Sequence, residues 1–140
     1  MADAVTFLAP LPPVGLRRNR LTSRYGWQKV MRREYSEAVW LAYRDGTSPY
    51  PVLPVEPWKQ AHIRLEWRSR RTPPDADNAL ASCKALIDCL RVQRPSDSKD
   101  DKRYWLGIIE DDGEGVTMSI TTNKVPKPIS EGVLVTVTKR

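Results

Sequence analysis

The sequence predicts a small α+β (α/β) domain spanning residues 1–140, with a mixed β-sheet of about four strands packed with two main helices. Three observations lead there. Period-two alternation recurs in short stretches, most clearly in AHIRLEWRSR and GVLVTVTKR. Two other stretches carry apolar residues at three- and four-residue steps. A chain of 140 residues fits one domain and can bury a core without covalent staples.

Each element follows from its local pattern. AVTFLA, residues 4–9, reads as a short strand that the prolines of PLPPVGLRRNR break into a basic loop. From Tyr25 to Arg44 the chain reads as a helix. Val30, Met31, Tyr35, Ala38, Leu41 and Ala42 form its apolar stripe, with Lys29, Arg32, Arg33 and Glu37 in water; Asp45-Gly46 ends it. TSPYPVLPVEPWK is a proline-punctuated loop. AHIRLEWRSR is a half-buried strand, with Ile63, Leu65 and Trp67 on one face and Arg64, Glu66 and Arg68 on the other. Asp77 to Arg91 reads as a second helix whose apolar face is Leu80, Cys83, Leu86, Ile87 and Leu90. Arg91 to Leu106 reads as an exposed loop, and LGII as a short central strand ending in acids. VTMSITTNKV and GVLVTVTKR, joined by KPISEG, predict a C-terminal β-hairpin.

Composition narrows the function. Mean hydropathy is -0.53 and no apolar run reaches the ~20 residues of a membrane span. The first residues lack the basic-then-apolar order of a secretory signal, so the expectation is a cytosolic protein. Cys83 and Cys89 lie on different helix faces, too far apart for a disulfide, and His62 is the only histidine. Zinc, Cys-His and Ser-His chemistry are therefore not expected. The net charge of +6 is carried mostly by arginine, whose fork matches phosphate oxygens.

The acidic residues offer a different chemistry. Asp75 and Asp77 stand at a strand-to-helix junction, and Asp111 and Asp112 close an apolar run. If those ends meet, three or four carboxylates converge, a set of hard oxygen donors suited to Mg²⁺ or Mn²⁺ and to phosphodiester hydrolysis. Lys84 follows Asp77 by almost two helical turns, in reach of a phosphate, and Asp88 lies one turn further. Simpler readings stand beside this one: Asp75 or Asp77 caps the helix, Asp111-Asp112-Gly113 is an acidic turn, and Lys84 and Asp88 are a surface pair. Arg17, Arg18, Arg20, Arg68, Arg70 and Arg71 flank the acids in sequence and would draw in a nucleic-acid backbone.

DADNALASCKALIDCL followed by GIIEDDG resembles the RusA family of Holliday-junction resolvases, with LAPLPPVGLRRNR, HIRLEWRSRR and GVLVTVTKR as supporting context. The resemblance implies a homodimer that makes paired Mg²⁺-dependent cuts in four-way DNA junctions. It assigns the metal to Asp75, Asp77 and Asp112 and a catalytic role to Lys84, with Asn78 completing the D-x-D-N motif. Three features depart from the family pattern. Ala81 stands where the family lysine is expected, Pro73-Pro74 precedes Asp75 where basic residues are expected, and the Arg91–Leu106 loop is long. These departures keep two alternatives open: a non-catalytic binder of branched DNA, and a broader flap or fork nuclease.

Overall fold

The computed structural model describes residues 3–17, 25–46, 54, 56–95, 97 and 103–140. The elements run β1 (Ala4–Ala9), α1 (Tyr25–Gly46), β2 (Ala61–Ser69), α2 (Ala76–Ser82), α3 (Lys84–Leu90), β3 (Val116–Lys124) and β4 (Gly132–Lys139). Short 3-10 turns occupy Val14–Leu16 and Pro128–Ser130. The result is a small α+β domain: a mixed four-stranded sheet and three helices. Among the described residues no helix is long and apolar enough to cross a membrane.

The sheet order is β1-β4-β2-β3. β4 runs antiparallel to both β1 and β2, and β2 runs parallel to β3. The register aligns apolar residues into rows across all four strands. One row is Val5–Val137–Ile63–Met118, and the next is Phe7–Val135–Leu65–Ile120. These rows are buried except on β3, where Met118 and Ile120 are half-buried. The opposite face carries Thr6, Thr136, Arg64 and Ser119 in one row, the alternation expected when only one side is covered. All three helices contribute to the covered side: α1 packs on β1 and α3, and α2 on β3.

The predicted C-terminal hairpin does not form. β2 inserts between β3 and β4, so the two last strands never pair with each other. Burial explains the preference. Val133, Val135 and Val137 are fully buried and belong in the centre of the sheet, whereas the polar face of β3 suits an edge. LGII is not a central strand either. Ile109 makes only single bridges to Trp58 and Arg91.

α1 buries a stripe that only partly overlaps the expected one: Tyr35 is buried and Met31 packs on the core as expected. Tyr35, Ser36, Val39 and Tyr43 face the core, while Val30 and Leu41 are exposed. The Tyr35 hydroxyl donates to the Pro10 carbonyl at 2.7 Å and fixes the helix over the end of β1. The predicted second helix is two segments. Cys83 stands between them with φ -87° and ψ 7°, yet its N–H still bonds the Ala79 carbonyl at 3.1 Å, so the axis continues across a tightened turn.

Candidate active site

Asp75 and Asp77 come from the β2–α2 junction. Asp75 occupies the N-cap position of α2, but its carboxylate makes no capping hydrogen bond. Both side chains are exposed, and among the described residues neither is in an ion pair or a side-chain hydrogen bond. Capping therefore does not account for the pair. Pro73-Pro74 stiffens the approach, and φ near -65° at proline leaves the aspartates on a fixed path into the helix.

Asp112 arrives from a strap between α3 and β3. Backbone bonds register this strap to α3: Leu106 N–H to Cys89 O at 2.8 Å, Ile108 N–H to Leu90 O at 2.8 Å, and Val92 N–H to Ile109 O at 3.0 Å. Glu110 N–H bonds Trp58 O at 3.0 Å on the other side. The strap thus delivers Asp112 beside the middle of α3. There Lys84 Nζ donates to Asp112 Oδ2 at 2.9 Å and contacts Asp88 Oδ1 at 3.0 Å. The two carboxylates are mostly covered, at 16% and 18% exposed, and the ammonium spans them from the surface. Arg103 adds a looser contact to Asp88 at 3.8 Å. Burial alone would lower the Lys84 ammonium, but the hydrogen bonds to Asp112 and Asp88 outweigh it and raise its pKa above the ordinary value. Burial likewise works to raise Asp112, and the Lys84 hydrogen bond prevails and holds it low.

Asp111 turns away from this pair. It accepts from Arg94 Nη1 at 3.3 Å and from the Asp112 N–H at 2.8 Å. Asn78 is half-buried on α2.

The four carboxylates do not converge. Among the described residues no three His, Cys, Asp or Glu side chains are grouped closely enough to hold a metal ion. The physical reason lies in the topology. β2 and β3 are parallel, with Ala61 opposite Val116 and Ser69 opposite Lys124. Asp75 and Asp77 follow the C-terminal end of β2, while Asp112 precedes the N-terminal end of β3. Asp112 therefore meets the returning helix at Lys84, roughly 10 Å of helix beyond Asp77.

A cavity of about 620 Å³ opens beside the Lys84–Asp112 contact. Lys84, Asp88 and Asp112 line it together with Leu80, Met118 and Arg32. Arg32 was expected in water. Its position on the inward stripe of α1, one turn before Ser36, explains why it points here instead. The available signal was a basic residue in helical phase with Ser36, Val39 and Tyr43.

A second cavity of about 530 Å³ gathers Arg17, Arg70 and Arg71 with Trp67. Arg17 lies over the Trp67 ring at 5.2 Å and donates from Nε to the Pro12 carbonyl at 2.9 Å. Arg70 is tied to Glu131 by side chain and backbone, each at 2.9 Å. Arg68 stands apart, paired with Glu66 at 3.1 Å. Arg18 and Arg20 lie outside the described residues.

The Arg91–Leu106 segment is more than an exposed loop. Arg91 and Leu106 are buried, and Arg91 holds Asp97 by two hydrogen bonds, at 2.9 and 3.1 Å. Its guanidinium also stacks on Trp105 at 4.5 Å. The Tyr104 N–H bonds Ser36 Oγ at 2.9 Å, pinning the strap to α1. Comparison with protein-family models, curated proteins and solved structures found no match to this chain.

Proposed function

We propose that the chain is a metal-dependent endodeoxyribonuclease for branched DNA, acting as a homodimer on four-way junctions in the manner of the RusA family it resembles. One observation carries most of the weight. The Lys84–Asp112 contact joins the second acidic motif to the helix that Asp75 and Asp77 open. Two further features support the reading. Asp75 and Asp77 carry charge that no neighbour among the described residues neutralises. Arg17, Arg70 and Arg71 line one cavity near the same junction, in a chain of net charge +6.

Asp75, Asp77 and Asp112 supply the oxygen donors that Mg²⁺ or Mn²⁺ takes. As placed, however, they do not form a three-carboxylate group. The same observation favours a second reading, a branched-DNA-binding protein without catalysis, in which Lys84 permanently occupies Asp88 and Asp112.

The test uses a labelled four-way junction, with Mg²⁺ and with EDTA, beside matched duplex and flap DNA. Wild type is expected to nick the junction symmetrically only with Mg²⁺, and Asp77→Asn to bind it without cutting. Binding with no cleavage in Mg²⁺ or Mn²⁺ sinks the enzyme reading and leaves the binder. Equal cleavage of flap and junction replaces the resolvase with a broader nuclease.

A further inference from the structure

The cavity beside Lys84 holds a second cation that neither of its acids partners. Its acids are Asp88 and Asp112, and both are engaged by Lys84, at 3.0 and 2.9 Å. Arg32, which lines the same cavity from α1, makes no ion pair among the described residues. Its Nε is buried and has no hydrogen-bond partner. The surrounding wall is largely apolar, with Leu80, Met118 and Leu16 contributing. That N–H has given up water without gaining a partner, which costs free energy, while the half-exposed guanidinium that carries it can still receive an anion. Its planar fork suits two oxygens of one phosphate.

We propose that Arg32 is a phosphate anchor, binding the non-bridging oxygens of a DNA phosphodiester in the cavity it shares with Lys84. The proposal rests on the nuclease reading and adds to it a binding residue from α1. A nucleic-acid backbone fits better than an isolated acidic peptide because the two cavities adjoin. Leu16 lines the first, and Val14 and Arg17 line the second, so the 3-10 turn Val14–Leu16 is the ridge between them. One polyanion crossing that ridge meets Arg32 and Lys84 on one side and Arg17, Arg70 and Arg71 on the other.

The test is fluorescence anisotropy with a labelled four-way junction in EDTA, over a series of salt concentrations. EDTA separates binding from any cutting. Arg32→Gln is expected to lose about tenfold or more in affinity and to reduce the salt slope by about one. Arg33→Gln, the exposed neighbour on the same helix, removes the same charge and is expected to stay within about twofold. Arg32→Lys keeps the charge and the packing stem but not the fork; it is expected to restore the salt slope and only part of the affinity. Equal losses for Arg32→Gln and Arg33→Gln overturn the proposal, because net charge then explains both. A second arm reads the thermal midpoint with and without inorganic phosphate. Phosphate is expected to raise the midpoint of wild type but not of Arg32→Gln; equal shifts in both overturn the anchor. If wild type binds no junction, the nuclease reading falls and this arm alone decides Arg32.

Discussion

Asp97→Asn tests how the acidic arm of the site is held. Arg91 is 5% exposed at its side chain, and Asp97 supplies both oxygens of its bidentate partner. Arg91 Nη1 has a second acceptor in the Val92 carbonyl at 3.1 Å, while Nε has none. The pair holds the Asp97 carboxyl near a pKa of about 2, against an ordinary 3.8, first through the Arg91 hydrogen bond. A shift of that size corresponds to about 2 kcal/mol, and screening at the loop surface reduces the charge contribution to about 1 kcal/mol. The substitution also turns an amide toward a buried guanidinium, leaving donors unsatisfied at a further cost of about 1 kcal/mol. The total of about 2 kcal/mol translates into a fall of roughly 6–8 °C in Tm for a domain of this size. Thermal unfolding followed by circular dichroism reads it directly. Because the folded pKa is depressed, the stabilisation is complete above pH 3.8 and disappears as pH falls through about 2. The wild-type advantage should therefore shrink across that window and no other. A double-mutant cycle with Arg91→Met should give a coupling of at least about 1 kcal/mol. Additive effects, or an unchanged Tm at pH 7, would refute the clamp.

Two further perturbations probe the site and the sheet. Lys84→Met leaves Asp88 and Asp112 covered and facing each other, so Tm is expected to fall by a few degrees at pH 7, about 1 kcal/mol or less, with cleavage lost as well. Since Lys84 depresses Asp112, the charge part of that stability difference should be full above the ordinary carboxylate pKa of 3.8 and shrink as the pH falls through the lowered folded value; a difference that is unchanged across the whole acid titration would count against the pairing. Gly132→Ala puts a methyl group against the Ala9 carbonyl oxygen and the Leu8 side chain at a φ of 147°, in the sheet between β1 and β2. A loss of about 3 kcal/mol or more is expected, and a Tm within 3 °C of wild type would show that β4 does not sit so close to β1.

The strands were legible where alternation and burial agree. β1 occupies the residues predicted, and Ile63, Leu65 and Trp67 face inward as their spacing requires. Pairing was not legible, because two alternating strands near each other in sequence look like a hairpin whether or not a third intervenes. The deciding quantity was depth: β4 buries three valines completely, and β3 buries none of its residues fully. α1 was legible in part. Tyr35 is buried as its spacing requires, with its hydroxyl satisfied by Pro10, but the helix turns Val39 and Tyr43 inward in place of Val30 and Leu41. At the site, the Lys84–Asp88 pair was legible from its i,i+4 spacing, but the Lys84–Asp112 contact was not, because the strap that delivers Asp112 is fixed by long-range backbone bonds. Nor was the distance from Asp77, because it depends on β3 running parallel to β2.

These placements make the acidic residues unequal as probes. Asp112 holds Lys84 and is reached through a strap bonded to Cys89, Leu90 and Trp58. Replacing it releases the ammonium and exposes Asp88 to an altered field, so lost cleavage in Asp112→Asn mixes structure with chemistry. Asp77 has no such duties. Its carboxylate is exposed and unpartnered among the described residues, with Asp75 two positions away as a like charge. The substitution Asp77→Asn removes repulsion and breaks no contact, although it forgoes a small favourable interaction with the opening of α2. These effects oppose each other, and Tm should hardly move. A loss of junction cleavage at constant Tm is therefore chemical in origin, and Asp77 is the position from which the role of the acidic motif is to be argued.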